Sequence, residues 1–179
     1  MPPYADAISQ HYAARWAPPV AESRGGTRLP RDFTILLIPR SADTSAYATV
    51  CMSQMADPER LELHLFTRAA TAPAPAIVEL LQAVAQYHRT ATPLGLGDSV
   101  NFGRPYLPGS RCTRGLISAP AHGGPGLEWL DVPRVRFLWL IPITEAEQRF
   151  KTVEGLEALE ARFEKAGLDY LDPARPSVV

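Results

Sequence analysis

The chain has 179 residues, 46% of them hydrophobic and 21% charged, which fits one globular domain with a substantial core and excludes wholesale disorder. Eighteen Lys and Arg stand against nineteen Asp and Glu, a net charge of −1, so bulk charge leaves no footprint for nucleic acid or an anionic membrane surface. Two cysteines, Cys51 and Cys112, provide no disulfide framework.

Residues 1–16 lack a basic start followed by an apolar run, and the longest apolar stretch, Val135 to Ile143, is too short to span a bilayer. The expected location is therefore the cytoplasm. Ile8, Tyr12 and Trp16 recur at i, i+4 and i+8, placing three large side chains on one face of a short helix that Pro18 and Pro19 terminate. Ala21 to Arg31 reads as loop. Phe33 to Ile38 is a strand covered on both faces and ended by Pro39. Tyr47 to Ser53 and Arg60 to Phe66 alternate as strands, and their short connection suggests a hairpin.

Ile77, Leu80, Leu81, Val84 and His88 follow the helical period behind Pro75, and Pro93, Gly95 and Gly97 close that helix. Asp98 to Phe102 predicts a short strand, Gly103 to Arg111 a Pro-rich loop, and Thr113 to Ala119 a further strand. Val135 to Ile141 is apolar on both faces, which predicts a central position in the sheet. Thr144 and Glu147 match a capping box. The helix it opens continues as a stripe through Phe150, Val153, Leu156, Leu159 and Phe163 to Gly167. Strands and helices in this order, without strict βαβ alternation, predict an α+β fold. Its expected form is a mixed, mainly antiparallel sheet of five or six strands packed with three or four helices in one domain over 1–179.

No constellation of reactive residues stands together in the sequence. Four histidines and two cysteines never form CxxC, HxH or HExxH, so no metal site can be drawn, and no cofactor is expected. Gly123-Gly124-Pro125-Gly126 lacks the Lys-Ser/Thr pair of a phosphate loop. His64 reads as a sheet-surface or a satisfied half-buried residue, His88 as a structural residue on the apolar stripe of its helix and His11 as a surface one. Cys51 reads as a mid-strand core thiol, and Trp16 and Trp129 as core. An enzymatic reading would have to assemble a hydrolase-like site in space around His122, in a Gly-rich loop, or Cys112, whose neighbours Arg111 and Arg114 could stabilise a thiolate. A binding reading looks instead to loops where arginines meet aromatics, because such residues dominate interface energetics. Arg104, Tyr106 and Arg111 of the Pro-rich loop fit that pattern.

Several segments, taken in order, resemble the suppressor-of-fused domain over roughly residues 34–177. They are the strand from Tyr47 to Met55, the strand Leu61 to Leu65, the helix Ile77 to His88 and the turn Gly97-Asp98-Ser99-Val100 with its Pro-rich loop. The strand Phe137 to Ile143, the Thr-Glu-Ala-Glu helix start and the tail Asp172 to Ser177 complete the series. The resemblance implies a protein-binding role without catalysis. Animal members sequester transcription factors of the Hedgehog pathway, and bacterial single-domain members are regarded as immunity proteins that neutralise toxins. It also implies partner contact at Tyr47, which aligns with an aromatic of that role in animal members. The acidic residue that accompanies it there has no match, because the turn Gln54 to Glu59 is shorter, and the second lobe of the animal proteins is absent.

Overall fold

A computed structural model describes residues 3–71, 74–124 and 126–179. Within them the chain forms four helices, α1 (Tyr4–Arg15), α2 (Pro75–Thr90), α3 (Glu145–Glu154) and α4 (Leu156–Ala166). Eight strands make one sheet: β1 (Ala21–Arg24), β2 (Thr34–Pro39), β3 (Thr44–Val50), β4 (Leu61–Arg68), β5 (Ser99–Asn101), β6 (Arg114–Ser118), β7 (Trp129–Leu130) and β8 (Val135–Ile143). The order is β1-β2-β3-β4-β8-β6-β5, with β7 paired to the start of β8. Every pairing is antiparallel except the parallel one between β4 and β8. The expected α+β fold is therefore present, with two strands more than the sequence suggested. The additions are short and weakly patterned: β1 is the polar Ala-Glu-Ser-Arg at the sheet edge, and β7 is two residues long.

Alternation along the strands divides the core in two. Ile35, Leu37, Tyr47, Leu63, Leu65, Leu138 and Leu140 face α2, whose Ile77, Leu80, Leu81 and Val84 pack down on them. Leu36, Ile38, Ala48, Phe66, Phe137, Trp139 and Ile141 face α1 and α4, meeting Ile8, Tyr12, Leu159 and Phe163. Burying both faces explains why β2 and β8 read as continuous apolar runs. Gly115 is required where β6 crosses β8, since a Cβ there would lie 2.6 Å from Leu140 and Phe102 side-chain atoms.

The capping box opens α3 as expected: Thr144 Oγ1 accepts from Glu147 N at 3.2 Å, and Glu147 accepts from Thr144 N at 2.7 Å. Glu147 does more than cap. Its carboxylate is buried and also accepts from both terminal nitrogens of Arg175, at 2.7 and 2.9 Å, and from Val178 N at 3.1 Å, which pins the C-terminal tail. Burial pushes this carboxyl up, but the Arg175 guanidinium and the amide donors outweigh it and hold the group below its ordinary range. The stripe read through Val153 is interrupted: Gly155, at φ 94, separates α3 from α4 and leaves Val153 78% exposed.

Candidate interaction site

A cavity of about 380 Å³ opens on the α1/α4 side of the sheet. One wall is the β2–β3 turn, where Pro39 ends β2 and the backbone N–H groups of Arg40 and Ser41 both donate to Thr44 O. The opposite wall is the segment after α4. Gly167, in the left-handed region at φ 57, closes that helix and redirects the chain through Leu168 to Leu171. Phe66 of β4 and Trp139 of β8 form the floor, their rings 5.5 Å apart. Tyr170 lies 4.7 Å from Trp139, and the exposed His122 meets both rings, at 5.1 Å from Trp139 and 5.4 Å from Tyr170.

Arg40 stands at the mouth. Its guanidinium carbon lies 4.4 Å from the centre of the Trp16 ring, a cation–π arrangement. Its Nε is buried with no hydrogen-bond partner among the described residues. Burial lowers its pKa. Behind this position His64 is fully buried between the Trp16 and Phe66 rings, with both ring nitrogens unpartnered among the described residues. Desolvation first, and then Arg40, push it down to about 3, so it is a neutral imidazole at physiological pH. His64 is neither the sheet-surface nor the satisfied half-buried residue expected: it lies wholly in the core, without hydrogen-bond partners among the described residues.

Deeper under α1 lies a buried carboxylate. Glu62, on the face of β4 that also carries His64 and Phe66, accepts from Thr49 Oγ1 at 2.7 Å and from Met52 N at 3.1 Å, with Cys51 and Ser53 N–H groups also turned toward it. Cys51 takes φ 62 to make that turn, so β3 ends at Val50 rather than running on to Ser53. Successive amides closing on an anion form a nest, which favours ionised Glu62, yet complete burial outweighs it and raises the carboxyl to about 8. Glu62 Oε1 and the Tyr4 and Tyr12 hydroxyls are buried without partners among the described residues.

The residues singled out from the sequence fall elsewhere. Tyr47 is 1% exposed on the α2 side, and its hydroxyl accepts from Ala74 N at 2.8 Å, fastening the start of α2 to the sheet. Tyr106, 4% exposed, anchors the Pro-rich loop in the same core. Neither phenol is open to a partner in this conformation. Arg104 and Arg111 are exposed, and Arg104 pairs with Glu79 of α2 at 2.8 Å. Cys112 is 1% exposed, and burial raises its thiol pKa despite Arg175 nearby, the reverse of the activated thiolate that Arg111 and Arg114 suggested. It belongs to the α2-side core, whereas His122 packs on Trp139 across the sheet, so the two candidates of an enzymatic site are not brought together.

His88 is structural: its Nδ1 accepts from Leu94 N at 2.9 Å, and its Nε2 meets Ser53 Oγ at 3.3 Å. His11, read as a surface residue, is buried with Nε2 2.7 Å from Leu127 O. Trp16 is core, but Trp129 is 39% exposed, flanked by the guanidinium groups of Arg134 and Arg136 at 4.9 and 5.2 Å. Among the described residues no group of three or more His, Cys, Asp or Glu side chains could hold a metal ion, and no helix is long and apolar enough to cross a membrane. The sequence reading missed Arg40, Phe66, Trp139 and Tyr170. A signal for two of them was present: Phe66 and Trp139 put large aromatics on the strand face that α1, only twelve residues long, cannot cover completely.

A sequence model of the suppressor of fused protein (SUFU) matches residues 30–176. The chain belongs to the suppressor-of-fused family. Among solved structures it is similar to a suppressor-of-fused homologue from Neisseria gonorrhoeae, with 29% identity, a TM-score of 0.82, and coverage of 98% of this chain and 97% of that one. It also shares its fold with a chain of the Sufu–Fu complex, at 16% identity and a TM-score of 0.74, covering 99% of this chain and 93% of the other. No curated protein sequence matches.

Proposed function

We propose that this suppressor-of-fused domain is a protein-binding module without catalytic activity. The observation that carries the reading is family membership across 147 of 179 residues, from 30 to 176, since members of this family act by holding other proteins. A chain of the same fold takes part in the Sufu–Fu complex, which agrees with it. The cavity supports it as well: aromatic rings and an arginine meet at an opening, the combination that concentrates binding energy at interfaces. Buried thiols held in their protonated form supply no nucleophile.

The partner, on this reading, is a toxin that the protein neutralises inside a bacterial cell. It is contacted on the cavity side, with Arg104 and Arg111 as the competing patch on the Pro-rich loop. Tyr47 and Tyr106 serve by holding α2 and that loop in place. Capture from the native organism tests this with wild type, Arg40→Gln/His122→Ala and Arg104→Ala/Arg111→Ala. The reading expects one protein retained by wild type and lost with the first variant, and that protein should arrest growth when expressed alone but not together with this chain. Loss confined to the second variant moves the site to the Pro-rich loop. Specific retention of nothing by wild type overturns the reading.

A further inference from the structure

We infer that the cavity takes a partner segment in which a bulky apolar side chain sits beside a carboxylate, the apolar group resting on the floor of Phe66 and Trp139 beside Tyr170 and the carboxylate pairing with Arg40. This rests on the protein-binding reading and specifies what its partner must present. The first observation is the missing counter-ion. Five other arginines are buried or half-buried, and all have acceptors: Arg89 meets Asp57 at 2.7 Å, Arg136 meets Glu128 at 2.8 Å, Arg175 meets Glu147 at 2.7 Å, Arg114 reaches Glu145 at 4.0 Å, and Arg60 donates to the carbonyls of Met55 and Arg134, both at 3.1 Å. Arg40 is half-buried, its Nε is sealed from solvent, and no side chain among the described residues accepts from it. A cation partly stripped of water and left unpaired is costly, and an incoming carboxylate removes that cost.

The second observation is the charge at the site. Asp169 lines the same cavity, but its Oδ2 accepts from Arg68 at 2.8 Å and its Oδ1 from Leu171 N at 2.9 Å, so it is already engaged. His64, behind Arg40, is buried and has no hydrogen-bond partner among the described residues. Of the two charged side chains of opposite sign that line the cavity, Asp169 is engaged and Arg40 has no acceptor among the described residues. Third, the guanidinium carbon lies 4.4 Å from the centre of the Trp16 ring, a contact that restrains the group before any ligand arrives. The volume of about 380 Å³ falls within the range of small ligand pockets and accepts a large apolar side chain rather than a folded domain.

The test uses two pools of N-acetylated tetrapeptide amides. In one, Phe, Leu or Trp stands next to Asp or Glu. In the other, the same apolar residues stand next to Asn or Gln. Binding is followed by chemical-shift changes at the side-chain indole N–H groups of Trp16 and Trp139 in the intact protein. The acidic pool should shift both and bind about tenfold more tightly than the amide pool, the value of one charge-assisted pair. Arg40→Gln should abolish the preference for the acidic pool. Equal binding of both pools to wild type, no binding of either, or a preference for acid that survives in Arg40→Gln overturns the inference. The comparison of pools on wild type stands even if the variant folds poorly. A partner captured equally by wild type and Arg40→Gln removes this cavity but leaves the protein-binding reading intact. Acidic peptides bound by a protein that captures nothing from its native organism have the opposite consequence.

Discussion

Replacing Glu62 by glutamine removes a titrating group from the most enclosed polar site in the protein while keeping an oxygen for Thr49 Oγ1 and Met52 N. Glu62 is 0% exposed, and burial raises its carboxyl from 4.5 to about 8. A carboxyl whose pKa is higher in the folded than in the unfolded chain binds its proton more tightly when folded. The resulting stability is complete below 4.5 and is lost as pH rises through about 8. Each pH unit within that window is worth about 1.4 kcal/mol, so raising the pH from 6.5 to 8.5 should cost the wild type about 2 kcal/mol. That is a sizeable part of the 5–15 kcal/mol typical of a domain. Urea unfolding at a series of pH values, on wild type and Glu62→Gln, isolates the effect because all other titrating groups are shared. The variant should lose about 2 kcal/mol less than wild type over this range. Parallel curves would show that the nest keeps Glu62 ionised and that the assignment of a protonated buried acid is wrong.

His64 should act in the other direction. Its folded pKa is depressed to about 3, so stability present above 6.5 is lost as pH falls, and His64→Leu should gain about 2–3 kcal/mol relative to wild type between pH 6.5 and 4.5, read by the same urea series. Arg175→Ala strands the buried Glu147 carboxylate and should destabilise the protein by about 3–5 kcal/mol in thermal or urea unfolding. A loss below 1 kcal/mol would mean that the tail is not held by this pair. Tyr47→Phe removes the acceptor for Ala74 N and should cost about 1 kcal/mol, whereas Tyr47→Ala opens the α2-side core at about 3–5 kcal/mol. If Tyr47→Ala instead leaves stability unchanged and abolishes partner capture, the aromatic acts directly at the interface.

Much of this fold was legible because the relevant residues signal locally. Thr144 and Glu147 sit at the spacing a capping box needs, and the sequence Val-Arg-Phe-Leu-Trp-Leu-Ile is apolar on both faces, so β8 had to be central. The hairpin of β3 and β4 followed from alternation, although its end did not. Cys51 leaves the strand because three amides turn toward Glu62, and that partner lies across the turn rather than next to it. The same reason hides the site. Tyr47 stands in the middle of β3 and Arg40 just beyond the end of β2, and whether each points into the core or to an opening is decided by what packs over it. Above Tyr47 that is α2, and above Arg40 it is the short α1, which stops at Arg15. The Pro-rich loop displays the arginines that sequence reasoning favoured, while Tyr106 is turned inward because that loop lies over the core rather than away from it.

The central claim is that this domain holds a protein partner on the cavity side of its sheet. The direct measurement is hydrogen–deuterium exchange of the protein alone and in complex with whatever it retains from its native organism. The account predicts slower exchange on binding in the β2–β3 turn, the loop around His122 and the segment Leu168 to Leu171. Protection confined to the Pro-rich loop or to the Trp129 surface, or the absence of any retained partner, would contradict it.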